Sequence, residues 1–199
     1  MPTESDKIEL SEHELREIAG YAARCARGTL PIFEQSLPDD PRPRDAVEAA
    51  EAFAGGGRRT GALRQSAWAA YRAAQEAASP AAADAARAAS HAAAAAYLHP
   101  LANAHQVKHV LGAAAHAARA EELAAGDLAA EEPAAGEDRP VAVGNPAAGS
   151  TAAGVGTLER ACRHAPPEVA AVLGRLPAAP PGGGRVGELM RDLDAALRA

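Results

Sequence analysis

Between Ala88 and Ala118 the only permanently charged side chain is Lys108. A surface helix displays Glu, Lys and Arg along one side, whereas a helix that is apolar nearly all round belongs in an interior. Alanine dominates the stretch and has the highest helix propensity. The run is broken at Leu98-His99-Pro100, where proline restricts the preceding residue and favours a new helix start. The pattern predicts a buried, antiparallel pair of helices at 80–98 and 100–125. Their alanines let the axes approach toward the close end of the usual range, roughly 8–10 Å.

The rest of the chain reads as helices around that pair. Ser11 followed by Glu14 is a capping box opening a first helix, on which Leu15, Ile18 and Ala22 repeat at helical spacing, and Pro31 ends or kinks it. A short helix over 43–54 stops at Gly55 to Gly57, and Thr60 caps a third helix that runs to Ser79. Gly126 is placed as the residue just past the 100–125 helix. From 127 to 156 the text is rich in Ala, Gly and Pro without periodicity, and it reads as a flexible insert. Helical periodicity returns over 157–199, where Val186, Leu189, Met190, Leu193 and Leu197 share one apolar face. No run of β-branched residues at period two occurs. The expectation is an all-α, single-domain bundle of about seven or eight helices: an N-terminal tail at 1–10, a main body at 11–126, the insert, and C-terminal helices on the same domain.

Charge narrows the class of partner. The chain carries a formal net charge of −6, distributed as acidic flanks around a basic centre: 1–57 is acidic, 58–119 basic, 120–139 acidic again. An acidic chain is a poor candidate for binding nucleic acid, which requires many cations to neutralise phosphates. The basic centre either meets something acidic or pairs internally. No window approaches the ~20 apolar residues that span a bilayer, and the first thirty residues contain no signal-like apolar run, so the expected location is the cytoplasm. Cys25 and Cys162 have no Cys-x-x-Cys spacing and read as small buried hydrophobes.

Three polar stripes are the candidate site. His105, His109 and His116 fall within an arc of roughly 40° on one helix; Arg64, Trp68, Tyr71 and Gln75 share an arc of about 60° on another; Asp84, Arg87 and His91 stand three and four apart on a third. Buried polar groups have to be hydrogen-bonded, so the stripes are expected to face one another and could line a polar groove. Arg64, Trp68 and Tyr71 read either as a cation–π ladder in the core or as part of a binding surface. His105 and His109 have an i, i+4 spacing that can reach one zinc, but no carboxylate ligand stands near, so neither metal nor cofactor is expected. Asp84 and His91 lie two turns apart, about 10 Å, too far for an acid–base pair. The three histidines are therefore read as interior polar residues facing Arg87 and His91, whose neutral forms acid would disrupt.

The segments RRTGALRQSAWAAYRAA and ARAASHAAAAAYLHPLANAHQVKHVLGAAAHAARAEEL, preceded by AEAFAGG, resemble the immunity proteins of bacterial polymorphic-toxin systems, the group with an Imm-five-like helical domain. The likeness spans Leu10 to Ala125 and resumes from Leu158; it departs at Ser90 and Tyr97. It implies a non-enzymatic cytoplasmic protein that binds and blocks a cognate protein toxin, with Arg64, Arg87 and His91 matching the family's polar pattern. The acidic flanks would suit a basic nuclease toxin. The competing reading is a small helical enzyme or metal-binding protein that uses a His- and Arg-lined groove between the central helices.

Overall fold

Caps and breakers set most helix ends. The computed structural model describes residues 7–131 and 146–199. Within them lie α1 (Glu12–Arg27), α2 (Leu30–Ser36), α3 (Arg42–Ala54), α4 (Gly61–Glu76), α5 (Pro80–Ala95), a 3-10 turn (Ala104–Gln106), α6 (Val107–Glu131), α7 (Pro146–Arg163), α8 (Pro167–Arg175) and α9 (Gly184–Arg198). The Ser11–Glu14 capping box is formed reciprocally, and Thr60 and Ser79 each accept the amide N–H three residues on. The fold is all-α. Among the described residues there is no strand, only an isolated bridge between Lys7 and Leu101, and no helix is long and apolar enough to cross a membrane.

α5 is the central element, packed by α1, α2, α3, α4 and α6. Apart from Pro80, only Arg87, Ser90, His91 and Ala94 on it are not buried. Its partner α6 buries Val107, Val110, Leu111 and a run of alanines. The two helices are antiparallel: Asp84 meets His116, His91 lies against Gly112, and the Ala94 carbonyl meets His109. One buried cluster joins this pair to α1, α3, α4, α8 and α9, and a second gathers Phe33 of α2 against alanines of α4, α5 and α6.

The junction differs from the sequence expectation. α5 ends at Ala95, and Pro100 does not open the next helix. Leu98 to Asn103 instead form an irregular link. Asn103 accepts the His105 N–H, the Gln106 amide oxygen accepts the His99 N–H at 3.0 Å, and the Ile8 N–H donates to the Pro100 carbonyl. With local partners found outside a helix, continuous α-helix begins only at Val107.

Gly126 does not end α6 either, since a lone glycine among alanines costs a helix only about 1 kcal/mol. Residues 127–131 extend α6, and α7 begins at Pro146, so both edges of the expected insert are helical; 132–145 and 1–6 lie outside the described residues. The cause is tertiary. α7 lies along α6, and Gly154 brings its backbone against the buried Glu122, where a Cβ would stand 2.7 Å from Cδ. Glu122 cannot give way, because Arg185 of α9 grips its carboxylate at 2.6 and 3.1 Å and Arg119 at 3.0 Å.

A methyl at Gly154 is thus expected to cost about 1–3 kcal/mol, the range for overpacking, whereas Gly174→Ala on exposed α8, with open space around it, should stabilise by about 0.5–1 kcal/mol. Urea denaturation of the two variants checks both signs; a neutral Gly154→Ala would mean that α7 does not seat here.

Candidate functional site

The antiparallel register of α5 and α6 creates a pair that the linear sequence conceals. His116 Nδ1 lies 2.7 Å from Asp84 Oδ1, and Arg87, one turn on from Asp84, reaches the same oxygen at 3.3 Å. An ionised carboxylate only accepts, so Nδ1 carries the proton and donates it. Burial by itself pushes the Asp84 carboxyl up, but the hydrogen bond and charge of His116, together with Arg87, outweigh it and hold the group below the usual carboxylate range.

His91 stacks on this pair. Its ring lies 5.1 Å from that of His116 at an interplanar angle of 18°, and its other side presses on Gly112, where a Cβ would stand 2.7 Å from His91 Nδ1. Desolvation, then the neighbouring His116, His109 and Lys108, push its pKa down to about 3. His109 is lowered by the same causes, burial first and then Lys108 and His99, against the opposing Ala94 carbonyl; its Nδ1 has no hydrogen-bond partner. The arrangement holds two neutral imidazoles beside an oriented Asp–His pair. Such a pair can accept and donate a proton. The nearest serine in sequence, Ser90, donates instead to the Ala67 carbonyl at 2.9 Å.

A separate cavity of about 480 Å³ opens between α1, α6 and α7, walled by Tyr21, Arg24, Thr29, Glu121, Arg160 and His164. The buried Tyr21 hydroxyl has no partner of good geometry, and burial drives the adjacent Cys25 thiol up to about 12, leaving it protonated and inert at neutral pH. Among the described residues no three His, Cys, Asp or Glu side chains converge as metal ligands.

The family model described as "Imm-5 like putative immunity protein" matches residues 7–139, more than half of the 199. The chain belongs to that family. No curated protein and no solved structure matches. The match covers α1 to α6 and stops before α7, so the likeness expected from Leu158 onward is not part of it.

In this Imm-5-like protein the three stripes do not meet as one groove. Asp84, Arg87, His91, His109 and His116 converge. His105 does not: it sits exposed in the 3-10 turn, because the Asn103 cap takes it out of the helix on which the 40° arc was drawn. The α4 stripe faces away, with Trp68 59% and Tyr71 40% exposed, so no cation–π ladder runs through the core. α4 turns Leu63, Ala67, Ala70 and Ala74 inward, and bulky rings have no room between alanine-packed helices. Arg64 lies over the Tyr97 ring instead, 4.5 Å from its centroid, while Trp68 and Tyr71 meet edge to face at 5.9 Å.

Sequence reasoning placed His116 on the antiparallel neighbour facing Arg87 and His91, but sought an acid–base partner for Asp84 on its own helix and did not pair it with His116. Glu122 was missed as well. Its only local sign is Arg119 three residues earlier.

The acid sensitivity therefore belongs to His91 and His109. The folded pKa of His91 lies far below the 6.5 of a free imidazole, so the unfolded chain binds the proton more readily, and this stabilisation is complete above about pH 6.5 and lost as pH falls. Expected is a loss of up to about 1.4 kcal/mol per pH unit between pH 6.5 and 4.5, before the carboxylates titrate. His91→Gln should flatten that slope in denaturant melts, and His105→Gln should leave it intact; the reverse pattern would refute the assignment.

Proposed function

We infer that this chain is an immunity protein that binds a cognate bacterial protein toxin in the cytoplasm and neutralises it by contact, without catalysis. The observation that carries this reading is the family match over α1 to α6. Supporting it, the buried Asp84 carboxylate is satisfied by His116 and by the half-exposed Arg87, and the His116 bond ties the two central helices together, as a structural device does.

One observation favours the second reading, an acid–base enzyme: a carboxylate orienting a histidine at 2.7 Å with a second imidazole stacked on it. The two readings differ in what the pair is for. Bacteria producing the toxin encoded beside this chain's gene should survive only when the chain is supplied, with protection rising to a limit at equimolar protein. Asp84→Asn and His116→Gln should lower the melting temperature yet still protect at temperatures where the variants are folded. Loss of protection by well-folded variants, or full protection by trace amounts of protein, would transfer the function to the enzymatic reading. No protection by the parent would reject the immunity reading itself.

A further inference from the structure

Nine of the arginines are spoken for. Arg16, Arg27, Arg42, Arg44, Arg87, Arg119, Arg175, Arg185 and Arg198 each hold a carboxylate of this chain. These pairs engage five of the twelve acids of the N-terminal flank, Glu12, Glu14, Glu34, Asp40 and Glu51. Four consecutive arginines along the sequence are different. Arg58, Arg59, Arg64 and Arg72 are exposed, and none has a carboxylate within ion-pair distance among the described residues. Arg24, Lys108, Arg160 and Arg163 are exposed and likewise have no carboxylate in ion-pair distance among the described residues, but the stretch 58–72 holds four such arginines together.

That place also carries the largest exposed apolar side chains of the ordered core. On α4, Arg64, Gln65, Trp68, Tyr71, Arg72 and Gln75 fall on one side of the helix, within an arc of about 120°. The one carboxylate near it, Glu76, is drawn off the end by Arg42 at 2.5 Å. The cations are also partly pre-ordered. Arg59 and Arg64 both lie against Tyr97, at 5.8 and 4.5 Å from its centroid; Tyr97 donates to the Thr60 carbonyl at 2.6 Å and Arg59 to the Ala96 carbonyl at 3.1 Å. Side chains held in place before contact lose less freedom on binding. Tryptophan, tyrosine and arginine are the residues that most often anchor protein interfaces.

We propose that this α4 face, extended by Arg58, Arg59 and Tyr97, is where the toxin docks, and that it seats an acidic patch of the toxin surface. The proposal rests on the immunity reading and adds to it the surface and the sign of the partner's charge. It departs from the expectation drawn from net charge, because what a face seats depends on the charge of that face and not on the sum over the chain. Trp68 and Tyr71 supply the desolvated centre, and the arginines steer and orient the approach.

The test uses the full chain and the toxin domain encoded beside its gene, inactivated by substitution. Binding kinetics are measured at low and physiological salt for the parent, Arg58→Glu/Arg72→Glu, Trp68→Ala and, as a charge control away from α4, Arg163→Glu. All four positions are exposed, and thermal melts confirm folding. Charge reversal at 58 and 72 should slow association about tenfold or more and weaken its salt dependence. Trp68→Ala should speed dissociation by about 30-fold, as loss of a hot-spot anchor does, and Arg163→Glu should stay within about twofold. Trp68 is the sole tryptophan, so the protein labelled with 5-fluorotryptophan gives one fluorine resonance, which should move on adding toxin. Parent-like binding by both α4 variants, with a stationary resonance, would overturn the docking surface while leaving the immunity reading standing. Failure of the parent to bind would overturn both. Binding of a single-stranded thymidine oligonucleotide at physiological salt, abolished by the same charge reversal, would overturn the proposal by assigning the face to nucleic acid.

Discussion

Everything in this bundle is arranged around how closely α5 and α6 approach. The contact is built from alanines and one glycine, Gly112, against which the His91 ring lies flat. Small side chains contribute little apolar area each, so such a core gains by bringing many backbone and Cβ atoms into contact at short axial separation. Alanine gives no shape to fix the register, however. The polar residues do: Asp84 to His116 at 2.7 Å and the stacked His91 ring distinguish one sliding position of the two helices from its neighbours. On the immunity reading proposed above, a cluster that looks catalytic in isolation takes the role often assigned to buried polar pairs, specifying one packing among similar alternatives.

Charge follows a comparable division. Pairs such as Arg27–Glu51, Arg42–Glu76 and Arg175–Glu14 join segments far apart in sequence. Exposed ion pairs of this kind contribute little stability individually, typically 0–1 kcal/mol. Their larger effect is on what the surface presents. By pairing acids with bases at home, the chain leaves a basic, aromatic strip on α4 as its most distinctive external feature.

Much of this was legible in the sequence. The chargeless alanine stretch identifies the central pair; Ser11 and Thr60 mark helix starts that the structure reproduces. Local signals failed where tertiary contacts decide. Gly126 reads as a stop, yet α6 continues to Glu131; the Gly- and Pro-rich text before Thr157 lacks periodicity, yet from Pro146 it is helical because Gly154 fits against Glu122. The histidine stripe failed for a third reason. A helical wheel assumes an unbroken helix, and Asn103 turns His105 out of it. The α4 stripe was drawn correctly with its direction left open between core and binding surface, since periodicity shows which residues share a face and not whether that face meets solvent; the structure turns it outward.

The family likeness ends at residue 139, but the packing does not respect that limit. α7 and α9 lie on α6, and Arg185 reaches from α9 to a carboxylate buried on α6. Cutting the chain where the shared sequence stops would strip away that guanidinium and uncover the side of α6 now sheltered by the C-terminal helices. The matched segment and the folding unit are therefore not the same object in this protein: the segment that matches the family model packs, here, on C-terminal helices beyond the match, and the choice of boundaries for any excised version should follow burial, not homology.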